Sequence, residues 1–81
     1  MTSVSILIQQ VTQVSRFVKL LTKYPYEMDL VSGRYTVDAK SLLGIYSLDL
    51  SQPLNLIIDS DDCEQLLKEL QELFHIDGIK E

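Results

Sequence analysis

Eighty-one residues make one small domain, near the size at which a single core only just outweighs chain entropy, so most apolar side chains must be structural. Hydrophobic content of 46% with 23% charged residues, three glycines and two prolines suits a soluble globular chain without linker, repeat or low-complexity segment. The apolar runs fall far short of the roughly 20 residues of a membrane span, no basic-then-apolar leader opens the chain, and a net charge of −5 argues against nucleic acid as a partner, so a cytoplasmic protein is expected.

The first strand is expected where Val4, Ile6 and Ile8 alternate with Ser5, Leu7 and Gln9. From Thr12 the period changes. Val14, Phe17, Val18 and Leu21 recur at helical spacing, while Arg16, Lys19 and Lys23 share the opposite face. Thr12 is placed to cap this helix, and Pro25 ends it near Tyr24.

Glu27–Val31 alternates polar and apolar residues, Ser32-Gly33 supplies a tight turn, and Arg34–Val37 returns as the second arm of a hairpin. In the Asp38–Leu50 stretch Ser41 caps a short helix. Leu54–Asp59 is the most apolar strand, hence central. Ser60-Asp61-Asp62 opens the last helix, whose expected buried stripe is Leu66, Leu67, Leu70, Leu73 and Phe74. Residues 75–81 read as a flexible tail. The order β-α-β-β-α-β-α predicts an α+β domain: an open-faced two-layer sandwich with a four-stranded antiparallel sheet covered on one face by helices.

The common phosphate, metal and hydrolase signatures are absent, so no cofactor or metal is expected and the protein is not read as an enzyme. The single cysteine, Cys63, has neither a disulfide partner nor a zinc-binding companion. His75, the one histidine, reads as a solvated or dipole-facing imidazole. The cationic stripe Arg16, Lys19, Lys23 is either a solvated face or a dock for an acidic partner. Leu42, Leu43 and Tyr46 can share one side of the short helix; because Ile45 and Leu48 can supply the core contacts, these three are assigned to an interface.

Two stretches carry a family resemblance. Phe17-Val18-Lys19-Leu20-Leu21-Thr22-Lys23-Tyr24 and Val37-Asp38-Ala39-Lys40-Ser41-Leu42-Leu43-Gly44-Ile45-Tyr46-Ser47-Leu48 resemble the first helix and the Lys-Ser-apolar-apolar-Gly segment of HPr, the histidine-containing phosphocarrier protein family of the sugar phosphotransferase system. The resemblance runs from about Val4 to Phe74. It implies that Gln10 stands at the family's phosphohistidine, Thr12 at its arginine and Gln13 at its proline. An amide cannot relay a phosphoryl group as an imidazole nitrogen can, and Thr12 supplies no cation. The implied function is therefore a regulatory, protein-binding module without carrier activity, with Arg16, Lys19, Lys23, Leu42, Leu43 and Tyr46 meeting phosphotransferase-system enzymes or a transcriptional regulator. Two alternatives stay open: a residual phosphocarrier component, using His75 or another group, and a corepressor-like regulator phosphorylated on Ser41. No membrane or direct nucleic-acid contact is implied, and the chain is expected as a monomer or weak homodimer.

Overall fold

The computed structural model describes residues 1–80. Eight elements follow one another: β1 (Thr2–Leu7), α1 (Gln13–Thr22), β2 (Met28–Ser32), β3 (Tyr35–Asp38), α2 (Leu42–Tyr46), β4 (Leu54–Ile58), α3 (Glu64–Leu73) and β5 (His75–Lys80). The sheet runs β3-β2-β4-β1-β5 with every neighbouring pair antiparallel. This is the expected α+β open-faced sandwich, with its four expected strands in place and β4 at the centre. The fifth strand is a correction. Where a tail was expected, the backbone of His75–Lys80 pairs along the free edge of β1, from Leu7↔His75 to Ser3↔Lys80, with a register shift between Ser3 and Ser5. The side chain of His75 and the whole of Glu81 lie outside the described residues.

Alternation decides which side of each strand is core. Val4 and Ile6 of β1, Met28 and Leu30 of β2, and Leu54, Leu56 and Ile58 of β4 are buried beneath the helices, whereas Ser3, Ser5, Leu7, Val31 and Ile57 are half-buried on the other face. A helical stripe closes the layer from α1: Val14, Phe17, Leu20 and Leu21 are buried. From α3 come Leu66 and Leu70, followed by Phe74, whose ring meets Phe17 edge-on at 5.5 Å and 89°.

Three local expectations are corrected. Thr12 is the N-cap residue of α1, but its side chain makes no capping bond; Gln13 supplies the acceptor for this loop instead, as described below. The last helix begins at Glu64 with buried Cys63 as its N-cap residue, and Ser60 Oγ accepts from Asp62 N at 3.1 Å in a tight turn ahead of it. Leu73 is 53% exposed, because it is the last helical residue and Phe74, already in extended conformation, takes the seat in the core. Gly33 has φ +60° at the first position of the two-residue loop between β2 and β3, which is the position a type II′ hairpin turn reserves for glycine.

Candidate functional site

The second short helix is built from its cap inward. Asp38 Oδ1 accepts from Lys40 N at 2.9 Å and Asp38 O from Ser41 N, which turns the chain out of β3. Ser41 then holds an extended conformation and its Oγ accepts from Gly44 N at 3.2 Å, so the expected cap is present. Gly44 lets the helix lie close to β3: a Cβ there would stand 3.2 Å from Val37 Cβ and 3.2 Å from Ser41 Oγ. With that face against the sheet, Ile45 and Leu48 go into the core, and Leu42, Leu43 and Tyr46 remain 40%, 82% and 43% exposed. An open cleft of about 550 Å³ adjoins the end of this helix, between Gly33–Tyr35 and Ser47–Asp49.

α1 packs against α2, so its exposed cations stand on the helix beside the apolar patch. The three are not equivalent. Arg16 and Lys19 are exposed without a carboxylate partner among the described residues, whereas Lys23 Nζ lies 3.3 Å from Glu69 Oε2 of α3. Such an exposed pair is worth little to stability, but it divides the stripe. Val11, 60% exposed in the loop before α1, is an apolar surface residue that sequence reading missed; its signal is an apolar residue between Gln10 and Thr12, ahead of the helical stripe.

That loop closes on itself. Gln13 Oε1 accepts from Gln9 N at 3.0 Å and from Gln10 N at 3.2 Å, while Gln13 N and Val14 N donate to the carbonyls of Gln10 and Val11. Gln10 is exposed, and its Oε1 receives only a long contact from Thr12 Oγ1, at 3.5 Å. Glutamine and threonine at these positions offer neither a nucleophilic nitrogen nor a charge to balance a phosphate. Among the described residues no group of His, Cys, Asp and Glu is arranged to hold a metal ion.

Tyr24, at the C-terminal end of α1, ties the site to the rest of the fold. Its hydroxyl donates to Glu69 Oε1 at 2.8 Å, its carbonyl accepts from Lys40 Nζ at 2.7 Å, and its ring stacks on Tyr26 with centroids 5.9 Å apart. Burial, with the bond to Glu69 second, pushes the Tyr24 phenol up to about 12, and the same bond leads the causes that hold Glu69 below the usual carboxylate range. The folded state therefore keeps a proton that the unfolded phenol gives up near 10. Stability from this group is complete below about 10 and is lost as the pH rises through about 12. Ultraviolet titration of the tyrosines is expected to show a step near 12 that Tyr24→Phe removes; an unchanged curve in the variant refutes the assignment.

A family model described as the PTS HPr component phosphorylation site matches residues 11–75, beginning immediately after Gln10. The chain is similar in structure to HPr-C-His from Thermoanaerobacter tengcongensis, at 26% identity and TM-score 0.71, over 90% of this chain and 89% of that one. It is also similar to a phosphocarrier protein HPr from Bacillus anthracis str. Ames, at 20% identity and TM-score 0.70, over 93% and 96% of the two chains. The histidine-containing phosphocarrier protein of a Mycoplasma shares the fold at 13% identity and TM-score 0.71, over 90% of each chain. Among curated proteins none matches.

Proposed function

The chain belongs to the HPr family of the phosphotransferase system, and from that premise we propose that it is a divergent member that has given up phosphoryl carriage and serves as a protein-binding regulatory module. The reading is supported by the loop before α1: the resemblance puts Gln10 at the family's histidine, an amide there has no nucleophilic nitrogen, and among the described residues the hydrogen bonds of this loop stay between Gln9 and Val14. The binding surface is the apolar cluster Leu42, Leu43 and Tyr46, extended by Val11 and by the unpaired cations Arg16 and Lys19. Lys23, committed to Glu69, contributes least. Such a surface suits a partner with an apolar centre and an acidic margin, as a protein of the phosphotransferase system or a transcriptional regulator could offer. The protein acts in the cytoplasm, as a monomer or a weak homodimer.

The test is incubation with phosphoenolpyruvate and the system's first enzyme, followed by a search for acid-labile phosphate on this chain. None is expected, and stoichiometric incorporation overturns the reading. A second reading has one observation in its favour: the register sets the backbone of His75 opposite Leu7, three residues before Gln10, at the end of β1 that leads into the loop. In that reading His75 is the phosphoacceptor of a residual carrier, and incorporation that disappears with His75→Ala selects it. Regulation through Ser41 is the third route. A phosphate there replaces the neutral cap at the amide end of α2, and treatment with a serine kinase of the system followed by mass analysis decides it.

A further inference from the structure

The sheet ends in β3 on one side and β5 on the other, and the two edges differ. The ladder that carries β5 is interrupted by a register shift, whereas β3 pairs with β2 without one. Tyr35-Thr36-Val37-Asp38 also holds neither lysine nor proline, residues that commonly blunt an edge strand. Ala39 N donates to Met28 O. Alternation from that bond turns the polar backbone groups of Tyr35 and Val37 toward β2, and sends the Thr36 N–H and C=O, the Arg34 C=O and the Asp38 N–H outward.

Charge at this edge is unbalanced in a self-complementary way. Asp29 and Asp38 face each other across β2 and β3 in a non-hydrogen-bonded pair, where side chains stand closest and like charges repel. With Glu27 they line an open cleft beside Lys40, whose Nζ is bonded to the Tyr24 carbonyl. Arg34, in the turn at the other end of β3, has no carboxylate partner among the described residues. One strand thus carries an unanswered cation at its start and an unanswered acidic pair at its end.

We propose that β3 docks antiparallel on β3 of a second copy of this chain, about a two-fold axis at Thr36, joining the two sheets into one. In that register Arg34 stands opposite Asp38, Tyr35 opposite Val37 and Thr36 opposite Thr36. Opposite charges, an aromatic with a β-branched residue, and two threonines are all pairings that favour antiparallel strands. The Thr36 pair exchanges two backbone hydrogen bonds, and each Asp38 N–H donates to the Arg34 C=O of the other copy. Tyr35, 67% exposed in the single chain, gains an apolar neighbour. The contact is small, so the association is weak. This goes beyond the regulatory reading and does not rest on it.

The test is sedimentation equilibrium of the unsubstituted chain up to about 1 mM, where a millimolar dissociation constant becomes visible. The average mass is expected to rise toward that of two chains, and a monomer at every concentration overturns the proposal. Arg34→Asp alone and Asp38→Arg alone each set two like-charge pairs across the axis, and each is expected to weaken association at least about tenfold. An equimolar mixture of the two variants recreates both opposite-charge pairs in the mixed dimer and is expected to associate again; a mixture as weak as its components overturns the register. Asp38→Arg also removes the acceptor of Lys40 N, so a third variant guards against its failing to fold. Thr36→Pro deletes an N–H that faces away from β2, a place where an edge strand tolerates proline, and is expected to abolish association with the fold intact by circular dichroism. Association that survives Thr36→Pro overturns the proposal and assigns the contact to another surface, such as the apolar patch of α2. None of these outcomes bears on phosphate incorporation, so failure here and failure of the proposed function are distinct.

Discussion

Ile45→Ala is expected to cost about 2–5 kcal/mol of folding stability, while Leu43→Ala, two residues away on the same five-residue helix, changes it by less than about 0.5 kcal/mol. The contrast follows from burial: Ile45 is fully enclosed and Leu43 is 82% exposed. A helix this short has no independent stability, so Ile45 and Leu48 are what fasten it to the sheet. Truncating Ile45 leaves a cavity that its neighbours fill only in part, whereas alanine at 43 removes a side chain that already stands mostly in water. Urea denaturation of both variants checks the pair, and a Leu43→Ala cost above about 2 kcal/mol, the scale of a core deletion, shows that the residue belongs to the core and removes the centre of the proposed surface.

The second large effect is expected at Phe17→Ala, about 3–5 kcal/mol. Phe17 is fully buried on α1 and its ring meets Phe74 edge-on, so the truncation loses apolar burial, the aromatic pair and the packing between α1 and the end of α3. For a domain whose whole stability is about 5–15 kcal/mol, that is a large share. The same buried stripe sets how α1 presents Arg16 and Lys19, so the variant is expected to weaken the docking proposed above without touching the surface itself. A loss below about 1 kcal/mol in denaturation, where a well-packed aromatic gives several, would show that the interior relaxes around the gap.

The parts legible in the sequence are those whose physics is local. Alternation marked β1, the spacing of Val14, Phe17 and Leu21 marked α1, and Ser41 before Leu42 marked a cap that the structure contains. The apolar composition of Leu54–Ile58 placed β4 at the centre. What escaped depends on partners distant in sequence. His75–Lys80 mixes Asp77, Gly78 and Lys80 with two isoleucines and carries no clean period; it becomes a strand because the edge of β1 offers unpaired backbone groups. The separation of Lys23 from Arg16 and Lys19 was invisible for the same reason, since Glu69 lies forty-six positions away. Thr12 was misjudged by a rule that is usually sound: a threonine before a helix is a favoured cap, yet the neighbouring Gln13 reaches back and satisfies the loop first.

The place of β1 in the sheet bears on how the chain comes to fold. Its neighbours are β4, in the register Thr2↔Ile58, and β5, in the register Leu7↔His75, so the first strand to be synthesised is completed only by the last two. Helix α1 and the β2–β3 hairpin can form early from local contacts, but the sheet cannot be joined across its middle until β4 arrives. Loop closure over such separations delays the gain from burial. Val4 and Ile6 therefore gain their strand partners only across long loops of this domain, which gives its sheet non-local contacts of the kind that slow folding.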